Sequence, residues 1–231
     1  IVEMLSIDGG DGIEVTAQYV TPTEQDNATT KDKVTVKAGT LTEAIENLST
    51  ALGRRAELGQ CSVIVVGSEL EPDVLGTLMT ATDVTADVYL TAAEEKAKDL
   101  VEGITDFMKK TGATDADFIA YSAKTANVAT TTLLNFLSDL GSASHTAFMP
   151  VVQMIEGDAE AVSGGQEESS QKKSGGEKSG MTVEKLALYD NSGRRMLLDK
   201  SAARGVAYIS APSEKGVIVC DVEIDGEKIK D

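Results

Sequence analysis

The feature that most constrains this fold is a predicted helix leading directly into a short apolar run, between residues 39 and 67. Thr40 and Glu43 have the spacing of a capping box, in which each side chain satisfies a free backbone N–H of the first helical turn. Apolar residues then recur on one helical face up to Gly53, which can end the helix in the left-handed conformation. Residues 61–66 are rich in Val and Ile, which is typical of a strand buried on both faces in the middle of a sheet. The sequence therefore predicts an α/β unit here, to which further strands add.

An acidic, glycine-rich turn lies near the start of the chain, between strands predicted at 1–7 and 13–20. Its sequence from Asp8 to Gly12 suits a tight hairpin, because Gly and Asp tolerate positive φ angles. A calcium loop is disfavoured, since the spacing fits no EF-hand and lacks a bidentate Glu. A third strand is predicted at 33–37.

Helices and strands alternate in the middle of the chain. Pro72 suits the first turn of a helix, and a second capping box, Thr91 with Glu94, predicts a helix that continues to Met108. Helical segments are also predicted at 115–124 and 128–140, and strands at 84–90 and 148–155. Pro150 falls early in the last of these strands, which indicates an edge strand or the start of a strand.

The polar stretch at 157–180 contains a run of Ser, Gly, Gln, Glu and Lys with no apolar residue from position 163 onward. Such a run buries too little surface to offset its ordering entropy, so we predict a flexible linker. Strands are expected after it at 182–189, 194–198, 205–210 and 217–224, with a short connector at 201–204. These elements predict the α+β class with mixed α/β sheets: a larger N-terminal α/β domain at 1–147 and a smaller β-rich domain at 148–231.

The net charge of −17 excludes several classes of function. No basic stripe is present that could displace counterions from nucleic-acid phosphates, so we expect no nucleic-acid partner. The same charge disfavours adhesion to an anionic membrane surface. Pairs of arginines occur at Arg54-Arg55 and Arg194-Arg195. They could anchor an acidic partner, but a helix-end role for the first pair and a hairpin role for the second are equally consistent.

The sequence carries no recognisable catalytic constellation. His145, the single histidine, falls in a predicted helix-to-strand loop, and nucleophile-elbow, Walker and dinucleotide motifs do not occur. With 38 acidic residues, neighbouring carboxylates such as Glu94-Glu95, Asp115 and Asp117, or Glu167-Glu168 are expected by chance. Cys61 and Cys220 lie in apolar runs, and they can form a disulfide only if their strands are neighbours. Two cysteines and one histidine are too few for a metal site, so no metal is expected.

Short blocks spread in order over nearly the whole chain carry a family resemblance. They are the strand pair at 7–22, VKAGTLTEAI at 36–45, CSVIVVGSEL at 61–70, VYL at 88–90 with KAKDL at 96–100, FMPVV at 148–152, LALY at 186–189 and ARGVAY at 203–208. In this order they resemble the C subunit of bacterial spore germinant receptors, the Ger(x)C lipoprotein family.

The resemblance implies a non-enzymatic receptor subunit that assembles with membrane-embedded partners in nutrient sensing and that needs no cofactor. It further implies an extracytoplasmic location, tethered by a lipid anchor to the spore inner membrane. The sequence begins at Ile1 rather than Met, so the lipid-carrying cysteine that the resemblance implies would lie upstream of it. Arg54, Arg55 and Arg204 are the candidate partner-contacting residues. The alternatives are an extracytoplasmic lipoprotein that binds a ligand or scaffolds an envelope complex without a role in germination and, less favoured, an acidic hydrolase.

Overall fold

The computed structural model describes residues 1–22, 29–94, 96–111, 128–156, 178–190, 192–210, 222–224 and 227–229. Within them, nine strands form one mixed sheet. The strands are β1 (Val2–Asp8), β2 (Ile13–Pro22), β3 (Thr29–Ala38), β4 (Val63–Val66), β5 (Tyr89–Ala93), β6 (Thr131–Thr132), β7 (Thr146–Glu156), β8 (Lys178–Asp190) and β9 (Arg195–Leu198). A separate hairpin pairs β10 (Val222–Ile224) with β11 (Glu227–Ile229).

The strand order β3-β2-β1-β4-β5-β7-β8-β9 places a parallel centre between two antiparallel flanks. Strands β1, β4, β5 and β7 run parallel to their neighbours in this centre. The pairs β1–β2, β2–β3, β7–β8 and β8–β9 are antiparallel, and β6 pairs antiparallel with β5 off the main path. This is the mixed α+β architecture that the sequence predicts.

Helices cover both faces of the sheet. They are α1 (Leu41–Ala51), a 3-10 helix (Pro72–Leu75), α2 (Gly76–Ala81), α3 (Ala97–Thr111), α4 (Leu133–Leu140) and α5 (Lys200–Ser210). The apolar residues of α1, α2 and α4 belong to one core cluster, and those of α3 and α5 belong to a second cluster. The two clusters lie on opposite faces of β4. Val63 and Val65 join the cluster of α3, whereas Ile64 and Val66 join the cluster of α1. The predicted central strand is therefore confirmed, with all four side chains fully buried.

Helix α1 forms as its sequence predicts. Thr40 is the N-cap, and its Oγ1 accepts a hydrogen bond from the backbone N–H of Glu43 at 3.2 Å. Gly53, with φ of 65°, follows the last turn. Leu41, Ala44 and Leu48 are buried on the face that packs against β2 and β3. Pro72 likewise occupies the first turn of a helix, here the 3-10 helix.

The second predicted capping box is wrong. Thr91 lies in β5, and its Oγ1 donates to the carbonyl of Pro150 at 2.8 Å. Burial in the middle of the sheet overrides the local capping signal at this position. The strand predicted at 84–90 is correspondingly displaced and runs from Tyr89 to Ala93. The carbonyls of Ala86 and Val88 instead accept hydrogen bonds from the first N–H groups of α4.

The helix predicted at 128–140 begins only at Leu133. Thr131 and Thr132 pair with β5, and Thr132 then caps α4 by accepting from the N–H of Asn135 at 3.3 Å. Pro150 lies neither in an edge strand nor at the start of one, because β7 runs between β5 and β8. The parallel pairing with β5 starts at Val151, so the missing N–H of Pro150 costs no bond to β5.

The strand predicted at 205–210 and the connector predicted at 201–204 are both wrong, because these residues form α5. The missed signal is Asp199, whose Oδ1 accepts from the N–H of Ala202 at 2.9 Å as a helix cap does. Ala203 is buried against the sheet, which fixes the inward face of the helix.

The domain boundary predicted at 147/148 stays a prediction. Strand β7 crosses it and continues the sheet built by the N-terminal part. The linker predicted at 157–180 lies outside the described residues up to 177, and its last three residues belong to β8. The helix predicted at 115–124, and the first part of the strand predicted at 217–224 together with Cys220, also lie outside the described residues; residues 222–224 form β10.

Candidate functional site

The carboxyl ends of β1, β4 and β5 meet at one edge of the sheet, which we call the carboxyl edge. After β4 the chain passes to the face of α1, where Leu75 and Leu78 are buried. After β5 it passes to the opposite face, where Ala97 and Leu100 are buried. In open α/β sheets, a crevice forms where successive connections take opposite faces, and ligands bind outside the strand ends at such a point.

Asp8, the last residue of β1, is the central charged group of the carboxyl edge. Its Oδ1 accepts from the N–H of Ala97 at 2.7 Å, and its Oδ2 accepts from the N–H of Lys98 at 2.9 Å. The side chain therefore caps α3 from a position 89 residues earlier in the chain. Burial raises the pKa of Asp8, and the two backbone hydrogen bonds act in the opposite direction. The acidic turn forms the predicted hairpin, and its first carboxylate has a structural task.

Two glycines make this close approach possible. A Cβ at Gly67 would lie 2.1 Å from Oδ1 of Asp8, and a Cβ at Gly9 would lie 2.4 Å from the carbonyl oxygen of Glu69. Contacts that short do not occur in folded proteins. Because Gly67 has no side chain, the Asp8 carboxylate can occupy the position from which it bonds to the first turn of α3.

Two small pockets open at the carboxyl edge, and Lys96 lines both of them. One, of about 270 Å³, is formed by Asp8, Gly9, Ser68 and Glu69. The other, of about 210 Å³, lies between the start of α3 and β7. It is lined further by Ala93, Glu94, Asp99, Leu100, Val152, Gln153 and Met154.

Glu94, directly after β5, joins the carboxyl edge to the β8–β9 hairpin. Its Oε1 pairs with the Nζ of Lys185, which holds the pKa of Glu94 below its ordinary value, and Gln153 adds a further hydrogen bond. Arg195 on β9 donates from Nη2 to the carbonyl of Ala93 and from Nη1 to the carbonyl of Glu94. These bonds satisfy two carbonyls at the end of β5 and tie β9 to the parallel centre of the sheet.

The predicted partner-contacting residues do not converge on one surface. Arg54 and Arg55 are exposed and follow α1 on one face of the sheet. Arg204 is half-buried on α5, which packs on the opposite face. Their role in binding a partner stays a prediction.

The other residues considered for chemistry are dispersed. His145 is exposed with φ of 48°, and its Nδ1 lies 3.4 Å from the carbonyl oxygen of Leu140. Cys61 is buried, and its Sγ donates to the carbonyl of Val63 at 3.3 Å. Within the described ranges, no three His, Cys, Asp or Glu side chains are placed to hold a metal ion. Of the neighbouring carboxylates, only Glu94 falls in the described part of the chain, and it is paired with Lys185.

Sequence reasoning missed the roles of Asp8 and Arg195. It predicts the hairpin but assigns Asp8 to the turn, whereas Asp8 is the last residue of β1 and pairs with Glu14. Nothing local to residue 8 indicates which helix its carboxylate reaches. It noted Arg195 as half of a basic pair, with hairpin and partner-binding roles both open. Both side chains act across about 90 to 100 residues of sequence, which a local pattern cannot encode.

The chain thus forms a sheet flanked by helices. The charged side chains at its carboxyl edge mainly bond to other strands and helices of the same fold. Comparison with known families gives a clear match. The family described as "Spore germination protein N-terminal domain" matches residues 1–154, two thirds of the chain. The chain therefore belongs to this family of spore germination proteins, which supports its recognition as a germinant receptor C subunit.

The matched region runs from β1 to β7 and includes every strand of the parallel centre. Searches of the curated proteins and of the solved structures gave no significant match. Among the helices in the described part of the chain, none is long and apolar enough to cross a bilayer.

Proposed function

We propose that the chain is a non-enzymatic subunit of a spore germinant receptor, a lipoprotein that assembles with membrane-embedded subunits in nutrient sensing. The observation that carries the proposal is the match of residues 1–154 to the germination family. That match covers the structural centre of the molecule, so the resemblance extends to the part of the chain that determines the fold.

The chemistry at the carboxyl edge supports a role in binding rather than in catalysis. A catalytic carboxylate needs access to a substrate proton or a reacting atom. Both oxygens of Asp8 accept backbone N–H groups of α3, and Glu94 is held by Lys185. These side chains position α3 and the β8–β9 hairpin, so their charges serve contacts within the fold.

The proposed location is extracytoplasmic, at the spore inner membrane, with a lipid anchor attached upstream of Ile1. An anchor of this kind keeps the folded body beside membrane-embedded partners. Tethering raises the effective concentration of the subunit near those partners, so individually weak contacts suffice for assembly.

A complementation experiment tests the proposal. The gene is deleted, and spores are complemented with the full-length protein or with a variant lacking the expected lipid-carrying cysteine. We expect deletion to abolish the response to one set of nutrients, and we expect the wild-type protein to co-purify with the membrane-embedded receptor subunits from detergent extracts. The unanchored variant should restore the response poorly.

Two results would contradict the proposal. Spores that respond normally to all nutrients after deletion would remove the germination role, provided that no second receptor of the same kind is present. Wild-type protein that does not co-purify with any membrane-embedded receptor subunit would remove the assembly role. As a control for viability, the deletion spores should still respond to nutrients that are sensed without this receptor.

A further inference from the structure

The two edge strands of the described sheet differ in how they are protected. Strand β3 is ten residues long and carries exposed lysines at positions 33 and 37. Lysines on an edge strand discourage a second chain from pairing with it. Strand β9 is four residues long and exposes Met196 and Leu197, with fractional exposures of 54% and 45%. An exposed apolar edge strand is a template for the addition of another strand.

The hairpin geometry shows which backbone groups of β9 are directed outward. Two backbone hydrogen bonds close the turn. The N–H of Gly193 donates to the carbonyl oxygen of Asp190, and the N–H of Asp190 donates to the carbonyl oxygen of Arg194. Residues in an antiparallel pair alternate between bonded and non-bonded positions. Leu197 lies opposite Ala187, three residues from the closing pair, which is a non-bonded position. Its N–H and C=O therefore point away from β8.

This edge is also held rigidly. The Oδ1 of Asp190 accepts from the N–H groups of Ser192 and Arg194 at 2.9 Å each, which fixes the turn before β9. Arg195 ties the start of the strand to the carbonyls of Ala93 and Glu94. A partner strand would thus meet an edge that is already ordered, which reduces the entropy lost on binding.

The local charge selects the chemistry of the occupant. Residues 194–204 contain Arg194, Arg195, Lys200 and Arg204 against the single acid Asp199, a net charge of +3 in a chain whose total is −17. Lys200 is paired with Glu184 of the neighbouring strand β8, and counting that acid leaves a local net charge of +2. Like charges disfavour pairing of this edge with a second copy of itself, and an acidic segment is favoured in its place.

We propose that β9 is a docking edge for an extended segment of a partner protein, with two successive apolar residues and acidic residues beside them. The segment adds to the sheet by bonding to the outward N–H and C=O of Leu197. Because successive side chains of a strand point to opposite faces, one of its apolar residues covers Met196 and the other covers Leu197. This inference rests on the proposed function, which supplies the membrane-embedded receptor subunits as the partner.

The test uses the full-length protein and its co-purification with those subunits. Leu197→Pro removes the outward N–H without removing a β8–β9 bond, because proline is tolerated where its nitrogen faces away from the sheet. Leu197→Lys leaves the backbone intact and adds a charge to the edge. The matched control is Leu134→Lys on α4, where a leucine of 52% exposure lies away from the edge. We expect both Leu197 variants to weaken co-purification about tenfold and the control to leave it unchanged.

Hydrogen exchange at the Leu197 amide keeps the test independent of folding defects. We expect fast exchange in the isolated protein and protection in the complex. Protection in the isolated monomer would mean that the chain covers its own edge, and protection that appears only with protein concentration would mean a second copy. Protection by vesicles of phosphatidylcholine and phosphatidylglycerol alone would mean a lipid surface. Each of these three results overturns the proposal.

The outcomes also separate this inference from the proposed function. If wild-type protein co-purifies with the receptor subunits and Leu197→Lys does so equally well, the docking edge is wrong and the receptor role stands. If wild-type protein fails to co-purify, the receptor role fails and the docking edge fails with it.

Discussion

Helices α1 and α3 begin by different means. At α1, Thr40 accepts from the N–H of Glu43 at 3.2 Å, and the carboxylate of Glu43 accepts from the N–H of Gly39 at 3.1 Å. All partners lie within five residues. At α3, the acceptor is Asp8 at the end of β1, and it binds the N–H groups of Ala97 and Lys98. The first helix has a local start, and the second has a start supplied by a distant strand.

The difference determines what each helix contributes to the fold. A local cap stabilises its own helix whether or not the sheet has formed. The cap from Asp8 exists only when β1 and α3 are in their final positions, so it joins secondary structure to tertiary structure. It also lies at the carboxyl edge, beside the pocket that Asp8 and Lys96 line. The comparison predicts that changes at Asp8 spread across the molecule and that changes at Thr40 stay local.

The largest effect is expected at Gly67. In Gly67→Ala, the new methyl group would overlap Oδ1 of Asp8, so either the carboxylate or the end of β4 must move. We expect a loss of roughly 3 kcal/mol in the free energy of unfolding, measured by urea denaturation. The control is Gly205→Ala on α5, where a Cβ meets nothing within 4 Å. It should be neutral or slightly stabilising, because alanine favours the helix. Equal losses in the two variants would contradict the close approach of Gly67 and Asp8.

A smaller loss is expected for Asp8→Ala. The substitution leaves the N–H groups of Ala97 and Lys98 without their acceptor, and it also removes the cost of burying a carboxylate. We expect a net loss of about 2 kcal/mol in the free energy of unfolding. Asp11→Ala, in the same turn but exposed, is the control and should change the free energy by less than about 0.5 kcal/mol. A loss at Asp11 that matches the loss at Asp8 would mean that the turn, rather than the cap, is what matters.

The local caps should cost less still. Thr40→Ala removes the acceptor for the N–H of Glu43 and is expected to lower the free energy of unfolding by about 1 kcal/mol. Thr132→Ala removes the equivalent acceptor for Asn135 at α4 and should give a similar value. Denaturation monitored by circular dichroism provides both numbers. A Thr40 variant that loses more than the Asp8 variant would reverse the order that the comparison predicts.

The smallest effect is a dependence on pH. Burial raises the pKa of Asp8 above its ordinary value of 3.8. At a pH between the ordinary pKa of the unfolded chain and the raised pKa of the folded protein, Asp8 is protonated in the folded protein and ionised in the unfolded chain. The contribution of Asp8 to stability therefore falls as the pH rises through this range. The difference in free energy of unfolding between wild type and Asp8→Asn should therefore decrease from pH 3.8 upward and level off above the folded-state pKa. A difference that grows with pH over this range would show a lowered pKa.

The same contrast explains which parts of the fold could be predicted from the sequence. Helix α1 and strand β4 are encoded within short windows, by the Thr40–Glu43 spacing and by consecutive Val and Ile, and both predictions are confirmed. The Thr91–Glu94 spacing is a local cap signal and predicts that α3 starts at Thr91. In the folded protein that hydroxyl donates to Pro150 in the neighbouring strand β7, and burial in the sheet determines its conformation.

The candidate site was the least predictable part. It is assembled from Asp8, Gly67 and Lys96, with Glu94 held by Lys185 nearby, and these residues come from separate elements. Only the strand order brings them together, and the sequence pattern does not determine strand order. The error at α5 has a different cause: the capping signal of Asp199 is local and was present, but the β-branched and aromatic residues after it favoured a strand.

Hydrogen exchange at the first turn of α3 tests most directly the claim that a strand residue starts this helix. The amides of Ala97 and Lys98 are compared in wild type, in Asp8→Ala and in Thr40→Ala, under conditions where all three remain folded. We predict that Asp8→Ala loses protection at both amides and keeps it at Glu43, whereas Thr40→Ala loses it only at Glu43. Full protection of Ala97 and Lys98 in the absence of the Asp8 carboxylate would contradict the account.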